Sequence, residues 1–318
     1  MLTVQHTEHF RIETPTIVTI GTFDGVHLGH RKILDRLKDL KRQTGLNTVV
    51  LTFEPHPRKV LFPEQKDLKL LTLVDEKLEL LEKYGVDVTV VYPFSKEFSH
   101  LEPELYIRDI LIKQLKVEYL VIGYDHKFGL NRSGDINVLK KYASQYHYNL
   151  EEISAKDIDH IAISSTKIRK ALEEGNTDLA TEFLGHPFIL SGKVIKGKQL
   201  GRTIGYPTAN LKTDEDKMIP KIGVYFVEVI LEGKTYFGMM NIGVNPTTDQ
   251  DNLIKPEVYI FDFNADIYGK HLQVKFIKRL RDEKKFANLA ELKDAIRQDE
   301  ETCLSLMADK NDSLPLTT

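Results

Sequence analysis

The feature that most constrains this chain is a change of hydrophobic pattern near residue 186. From Ile17 to about Ile153, short apolar runs alternate with amphipathic segments of helical spacing. This alternation predicts an α/β domain with a doubly wound parallel sheet. From Phe188 onward, β-like runs follow one another with turn residues between them, which predicts a small antiparallel β-barrel. We therefore expect two domains, residues 1–185 and 186–318.

The predicted elements can be placed along the chain. In the first domain, strands are expected near residues 17–20, 48–53, 86–92, 119–122 and 148–153, and helices at 31–43, 74–83, 104–115 and 136–145. A helical segment at 165–184, interrupted near Gly175, leads to the second domain, whose strands are expected at 188–194, 224–231, 235–242, 257–263 and 272–279. A helix over 288–306 closes the chain.

Composition excludes several classes of protein. The chain has 318 residues and a net charge of −3, which argues against bulk nucleic-acid binding. Its one cysteine, Cys303, excludes an intramolecular disulfide and a multi-cysteine metal site, and it fits a reducing compartment. Neither a signal-peptide pattern nor an apolar run of membrane-spanning length is visible. We expect a cytoplasmic protein without nucleic-acid or membrane partners; its oligomeric state is left open.

A glycine-rich segment with two histidines, residues 21–30 (GTFDGVHLGH), joins the first predicted strand to the first helix. Backbone N–H groups and the positive end of a helix make such a turn suitable for phosphate. His27 and His30 can donate hydrogen bonds to phosphate oxygens, and Gly29 allows close approach to the backbone. The alternative is a plain glycine-rich turn whose histidines are surface or capping residues.

A second polar cluster, residues 164–169 (SSTKIR), opens a later helix. Taken alone, it is better interpreted as a capped surface helix. Together with residues 21–30, however, it resembles the paired signatures of the nucleotidylyltransferase superfamily, in its adenylyltransferase branch. The resemblance implies that His27 and His30 contact the triphosphate of ATP and that Arg169 stabilises the pyrophosphate leaving group. It also implies ATP-binding roles for Gly21, Phe23, Asp24, Gly29, Ser164, Ser165 and Thr166.

Two further loops resemble the bacterial FMN adenylyltransferase module, residues 52–57 (TFEPHP) and 123–129 (GYDHKFG). The resemblance implies that they hold FMN through His56, Pro57, Asp125 and Phe128. His56 has an equal alternative as a turn residue held between two prolines. The chain departs from the family at His126, where an aromatic residue is usual.

The chemistry of such a site fits residues 21–30. The phosphate of FMN would be the nucleophile, and it is already largely ionised at neutral pH because its second pKa is near ~6. No general base is needed, so His27 and His30 are better assigned to phosphate and transition-state contacts. A zinc site is the rival for two histidines, but no third ligand is spaced nearby.

The second domain contains two glycine-rich stretches, residues 192–197 and 201–210, without a Walker-type phosphate loop. Thr208 and Asn210 supply hard oxygen atoms of the kind that Mg²⁺ prefers. The alternative is turn chemistry between barrel strands. The string closely resembles riboflavin kinase, and the later pieces 223–225, 241–247, 257–259 and 279–281 follow in that family's order.

This second resemblance implies the roles of the kinase residues. Thr208 and Asn210 would hold Mg-ATP, and Glu257 would be the general base for a neutral ribityl alcohol. Without the motif, Glu257 would be interpreted as an exposed strand residue and Arg281 as part of a solvated basic face. Thr248 stands where the family often has Phe. The implied contacts are Gly197, Gly201, Arg202, Gly205 and Pro207 for ATP, and Asn245 and Arg281 for the flavin.

The two motif sets occur in the order of the bacterial bifunctional riboflavin kinase/FMN adenylyltransferases. The expected activities are phosphorylation of riboflavin to FMN by the second domain and adenylylation of FMN to FAD by the first, with ATP and Mg²⁺ in both. One rival is a monofunctional kinase with an inactive first domain, which His27, His30 and Arg169 argue against. Another is a flavin-binding sensor without turnover, which would need neither Glu257 nor a metal site.

Overall fold

A computed structural model of the chain describes residues 1–5, 7, 9–65, 67–124, 126–130, 133–154, 163–197, 200–244 and 254–312. The chain divides into two compact units, Met1–Ser165 and Thr166–Thr318. The helical segment before residue 186 belongs to the second unit, where the Lys221 N–H donates to the Leu172 carbonyl at 2.9 Å. The domain boundary at residue 186 stays a prediction, because a compact unit and a family domain need not end at the same residue.

The first unit is built on a six-stranded sheet in which every pair of neighbouring strands is parallel, in the order β1-β4-β3-β2-β5-β6. All five predicted strands overlap observed strands to within two residues at each end, and the doubly wound α/β fold is confirmed. The edge strand β1 was not predicted, because it has only four residues and none of them is buried. The strands are β1 (Leu2–Gln5), β2 (Thr16–Ile20), β3 (Asn47–Glu54), β4 (Val88–Pro93), β5 (Val117–Gly123) and β6 (Asn149–Ile153).

Helices cover both faces of this sheet. On one face, Leu37 and Leu40 of the first helix pack with Ile17 and Val121 of the sheet. The second face carries a larger apolar cluster. Because the central strand β2 is covered on both sides, all five of its residues are buried. The helical elements are α1 (Leu28–Thr44), α2 (Pro57–Leu61), α3 (Val74–Lys83), α4 (Lys96–Ser99), α5 (Pro103–Leu105), a π-helical segment (Tyr106–Gln114) and α6 (Ile136–Tyr146).

The strand order places one loop in a special position. Strand β2 pairs with β3 on one side and with β5 on the other, so the direction of winding reverses beside it. In open α/β sheets, ligands bind outside the carboxyl ends of the strands at such a reversal. Residues 21–27 leave β2 at that end of the sheet and lead into α1.

The second unit contains a closed antiparallel barrel in the order β10-β11-β8-β7-β12-β9. Five of its strands were predicted. A strand at residues 208–212 was not predicted: they form β8, a five-residue run in which only Leu211 is buried, so its apolar pattern is too short and weak to mark a strand. No helix in the described part of the chain is long and apolar enough to span a membrane. The elements are α7 (Ser165–Glu174), α8 (Thr177–Leu184), β7 (Ile189–Ile195), α9 (Leu200–Thr203), β8 (Thr208–Lys212), β9 (Gly223–Leu231), β10 (Lys234–Val244), β11 (Ile254–Ile260), β12 (His271–Arg281) and α10 (Leu289–Asp312).

Candidate active sites

The loop between β2 and α1 has an unusual backbone. Phe23 and Val26 both have positive φ angles, +48° and +40°, although each carries a Cβ atom. A left-handed conformation is costly for a β-branched residue, and it persists only where the surroundings fix it. Both side chains are almost completely buried, 1% and 0% exposed, and the Val26 N–H donates to the Phe23 carbonyl at 3.1 Å. The core of the first unit therefore fixes the shape of this loop.

The two histidines of the loop form one stacked pair. Their ring centroids are 3.7 Å apart with an interplanar angle of 14°, and the Phe23 ring lies 4.9 Å from the His30 ring. His27 is the N-cap of α1, where its Nδ1 accepts a hydrogen bond from the His30 N–H at 3.4 Å. The capping interpretation of His27 is thus confirmed. Capping through Nδ1 does not exclude a phosphate contact elsewhere on the ring.

The surroundings of His30 favour the neutral form of its ring. Burial lowers the pKa of His30 well below its usual value, and the charges of His27 and Lys77 lower it further. A neutral imidazole carries one N–H donor and one acceptor. This state suits a hydrogen bond to a phosphate oxygen without the cost of burying a further charge.

Asp24 connects the loop to two other segments. Its Oδ1 accepts hydrogen bonds from the N–H groups of Leu71 and Thr72, at 2.8 and 3.1 Å. Its backbone carbonyl accepts a hydrogen bond from the Ser165 hydroxyl at 3.0 Å. The start of the 164–169 cluster therefore meets the 21–30 loop, as the paired signatures imply.

The remaining assignments in this site are not decided by these contacts. Ser164 and Ser165 are half-buried, and Thr166 and Arg169 lie on α7 in the second unit. An ATP-binding role for Asp24 also stays a prediction, because the bonds seen for its Oδ1 are to backbone N–H groups of the protein. The assignments of Gly21, Phe23 and Gly29 to ATP likewise stay predictions.

Sequence reasoning missed Lys77 and Thr52. The Lys77 side chain is on the apolar face of α3, with only 4% of the residue exposed, and its Nζ donates to the Thr52 hydroxyl at 3.3 Å. That hydroxyl donates to the Thr22 carbonyl at 3.1 Å. Burial lowers the pKa of Lys77, and the carboxylates of Asp24 and Glu54 oppose this effect. The signal available in the sequence was a lysine spaced three and four residues before Leu80 and Leu81.

The predicted flavin loops contain a second capping histidine. His56 is the N-cap of α2, where its Nδ1 accepts from the Arg58 N–H at 3.2 Å, and Pro57 is the first residue of that helix. This finding supports the turn interpretation of His56 without testing a ligand contact. Asp125 lies outside the described residues.

Phe128 belongs to an aromatic wall. Its ring lies 5.1 Å from that of the buried Tyr106, and the His126 ring stacks on it at 5.7 Å with an interplanar angle of 24°. His126, which stands where the family usually has an aromatic residue, therefore still places a planar ring against Phe128. Whether Phe128 contacts flavin stays a prediction.

The predicted kinase residues are brought together on the barrel. Glu257 of β11 lies directly opposite Asn210 of β8, and the Thr208 hydroxyl donates to the Glu257 carboxylate at 3.3 Å. The alternate residues of β11, Val258 and Ile260, are buried, so these polar side chains share the outer face. Burial raises the pKa of Glu257, while the Thr208 hydroxyl and Lys255 lower it. One carboxylate and two hard oxygen donors thus form a single cluster.

Two glycines allow the backbone to pass close to this cluster. A Cβ atom at Gly197 would overlap the Asn210 amide, and one at Gly201 would overlap the Tyr206 carbonyl and approach the Thr208 hydroxyl. The structure therefore brings both glycines to the predicted metal residues. Arg202 on α9, and Gly205 and Pro207 after it, are exposed.

One predicted flavin-side residue of the kinase, Arg281, is held by an ion pair within the second unit. The Arg281 guanidinium forms a two-pronged ion pair with Asp299 of α10, with its Nε 2.9 Å from Oδ1 and its Nη2 2.7 Å from Oδ2. Arg281 is therefore held in an ion pair and is not simply part of a solvated basic face. A flavin contact of Arg281 stays a prediction. Asn245 and the departure at Thr248 lie outside the described residues.

Gly201→Ala should lower riboflavin phosphorylation by at least about 10-fold, because the new methyl group overlaps a backbone carbonyl and must displace the Thr208 loop. Adenylylation of supplied FMN should not change. Gly233→Ala, in the turn between β9 and β10, is the control for an added methyl group: its φ of +76° strains an alanine, but the space around it is open. Steady-state rates of both reactions check the pair, and equal kinase rates in the two variants would contradict the close approach at Gly201.

Comparisons with known proteins cover nearly the whole chain. The sequence profile described as FAD synthetase matches residues 9–167, and the profile described as riboflavin kinase matches residues 184–307. A protein of Listeria monocytogenes is 39% identical over 93% of this chain and 94% of its own length. A protein of Escherichia coli strain K12 is 41% identical over 90% of this chain and 91% of its own length. Both are named bifunctional riboflavin kinase/FMN adenylyltransferase.

A solved structure matches the same extent of the chain. The crystal structure titled as a macrolide-efflux protein from Streptococcus pneumoniae superimposes with a TM-score of 0.84 and 32% sequence identity. The match covers 95% of this chain and 99% of that one. The α/β sheet and the barrel are thus found together in an experimental structure.

Proposed function

The chain belongs to the bifunctional riboflavin kinase/FMN adenylyltransferase family, and from that premise we propose which of its residues perform each step. It phosphorylates riboflavin to FMN and adenylylates FMN to FAD, with ATP as the second substrate of both reactions. The residue roles, the metal and the location in the cell are our proposals. The cytoplasm is proposed because the one cysteine, Cys303, is a buried thiol without a disulfide partner.

In the kinase reaction, Glu257 accepts the proton of the ribityl hydroxyl. The hydroxyl oxygen bonds to the γ-phosphorus of ATP, the bond from that phosphorus to the bridging oxygen breaks, and ADP leaves. Partial shielding from water raises the pKa of a carboxylate toward neutral pH and so makes it a more effective base. The half-buried position of Glu257 on the barrel face, in contact with Thr208, is the observation that supports this role.

The donor set of the barrel site fits Mg²⁺. The Thr208 hydroxyl, the Asn210 amide and the Glu257 carboxylate are hard oxygen donors on one face of adjoining strands. Thr208 and Asn210 would hold the ion together with ATP phosphates, and the ion would neutralise negative charge on the transferred group. Gly197, Gly201, Arg202, Gly205 and Pro207 would line the nucleotide.

In the adenylyl transfer, the chain provides positioning and charge stabilisation without a base. A phosphate oxygen of FMN bonds to the α-phosphorus of ATP, the bond to the β-phosphate breaks, and pyrophosphate leaves. The stacked His27–His30 pair at the start of α1 is the observation that carries this assignment. Hydrogen bonds from these rings and from the helix N-terminus stabilise the charge that develops on phosphate oxygens.

The other residues of this site complete the proposal. Ser164, Ser165, Thr166 and Arg169 would bind the phosphates of ATP, with Arg169 on the pyrophosphate. On the flavin side, His56, Pro57, Asp125 and Phe128 would contact FMN. Asn245 and Arg281 would serve the flavin in the kinase site, although Asp299 already holds the Arg281 guanidinium.

A chromatographic time course with riboflavin, ATP and Mg²⁺, following FMN and FAD separately, tests the proposal. FMN should rise first and then pass to FAD, and a chelator added at the start should stop both reactions. FMN that accumulates without FAD, under oxidising and reducing conditions, would indicate an inactive first domain. Stable flavin binding without any product would favour the sensor.

A further inference from the structure

A buried lysine, Lys77, is linked to the loop between β2 and α1 but has no role in the proposed adenylyl transfer. Lys77 is 4% exposed, and the hydrogen bond seen for its ammonium group goes to the Thr52 hydroxyl. Burial lowers the pKa of Lys77 even though the Asp24 and Glu54 carboxylates favour its charged form, so the hydration lost by the ammonium group is not fully replaced. Replacement of such a buried charged group by an apolar side chain of similar length is often neutral or stabilising. Stability alone therefore does not account for a lysine at this position.

The hydrogen bonds around Thr52 have a fixed direction. An ammonium group only donates, so the Thr52 hydroxyl must accept from Lys77, and its own proton is directed elsewhere. The Thr22 carbonyl lies 3.1 Å from that hydroxyl and receives the proton. Lys77 thus orients a hydrogen bond between β3 and the loop that follows β2.

The same loop is held from the segment that leads into α3. The Asp24 carboxylate binds the N–H groups of Leu71 and Thr72, and the Gly25 N–H donates to the Thr72 hydroxyl at 3.0 Å. The Thr22 contact adds a third attachment, at the residue before the left-handed Phe23. All three attachments lie ahead of His27.

We propose that Lys77 is a positioning residue for adenylyl transfer, acting through Thr52 on the loop that presents His27 and His30. The inference rests on the proposed role of that histidine pair. An ammonium group in this place fixes the Thr22 carbonyl, and through it the approach of the loop to α1. A displacement of about 1 Å in a phosphate-binding loop can cost on the order of 100-fold in rate.

Variants of Thr52 provide the first test. Thr52→Val keeps the shape of the side chain but removes the hydroxyl, and Thr52→Ser keeps the hydroxyl. We expect Thr52→Val to lower kcat for FMN adenylylation by about 10-fold or more, with KM for ATP changed by less than about 2-fold, and Thr52→Ser to retain most of the rate. Wild-type kcat in Thr52→Val, or equal losses in the two variants, would overturn the proposal.

Lys77→Met, alone and combined with Thr52→Val, tests whether the two residues act together. If Lys77 acts through Thr52, the double variant should be no slower than the slower single variant. Losses that multiply would show that Lys77 acts by another route. Should Lys77→Met fail to fold, Lys77→Gln takes its place in the same single and double variants, and the same two outcomes apply.

Two controls distinguish a positioning role of Lys77 from a purely structural role and from a failure of the histidine assignment. Thermal melting is measured for every variant, because a purely structural role would lower the melting temperature and leave the kcat of the folded enzyme unchanged. Wild-type and His27→Ala enzymes are assayed beside them. If the wild type forms FAD and His27→Ala retains that activity, the histidine assignment fails. If His27→Ala is inactive but Thr52→Val has a normal rate, only the proposed role of Lys77 is refuted.

Discussion

His27→Ala should lose at least about 100-fold in the conversion of FMN to FAD, while riboflavin phosphorylation continues at the wild-type rate. The substitution removes a ring that stacks on His30 and a hydrogen-bond donor from the start of α1. It also removes the N-cap, which by itself costs about 0.5–2 kcal/mol of stability. Separate assays, one starting from riboflavin and one from FMN, measure the two activities.

His27→Asn separates the two consequences of losing this ring. Asparagine is a good N-cap and can accept the hydrogen bond from the His30 N–H, but it has no imidazole to offer to a phosphate. The Asn variant should therefore regain stability without regaining adenylylation. Recovery of activity would mean that His27 serves only as a cap, and loss of both activities in a folded protein would contradict the assignment of two sites.

Glu257→Gln should have the opposite effect, lowering riboflavin phosphorylation by about 10²- to 10⁴-fold and leaving adenylylation of supplied FMN intact. Glutamine keeps the shape of the side chain and can still accept the Thr208 hydrogen bond, but it cannot take a proton from the ribityl hydroxyl. ADP release with riboflavin and FAD formation from FMN are the two measurements.

A matched control for this variant lies in the same barrel. Glu228 of β9 is a half-buried carboxylate paired with Lys275 at 2.9 Å, so Glu228→Gln removes a charge of similar exposure from another strand. It should leave both activities unchanged. Full kinase activity in Glu257→Gln would remove Glu257 as the base.

The sequence predicted those elements in which burial follows a regular period. Helix α3 was predicted with its observed bounds, because its apolar residues recur at helical spacing. Strands β1 and β8 were missed because each has only two apolar residues in a run of four or five, with at most one of them buried; both strands are defined by the neighbour to which they hydrogen-bond. Pairing across the chain leaves no local signal in such short strands.

In the candidate sites, too, the sequence predicted what local motifs encode and missed what depends on tertiary packing. The motifs predicted that Thr208 and Glu257 belong to one site, and the barrel places them in contact. Nothing local could predict the link from Lys77 through Thr52 to the loop, since it joins residues 25 positions apart whose meeting depends on how α3 packs on the sheet. The capping roles of His27 and His56 were open for a similar reason, because a histidine before a helix suits both a cap and a ligand.

The buried side chains of Phe23 and Val26 determine how rigid the loop between β2 and α1 is. Glycine at either position would relax the backbone, yet it would also remove an apolar side chain from the core, a loss of about 2–4 kcal/mol that exceeds the gain. The turn is therefore as rigid as the core that contains its side chains. In its proposed role, such a loop would lose little conformational entropy on binding phosphate groups, so more of the interaction energy would remain available as affinity.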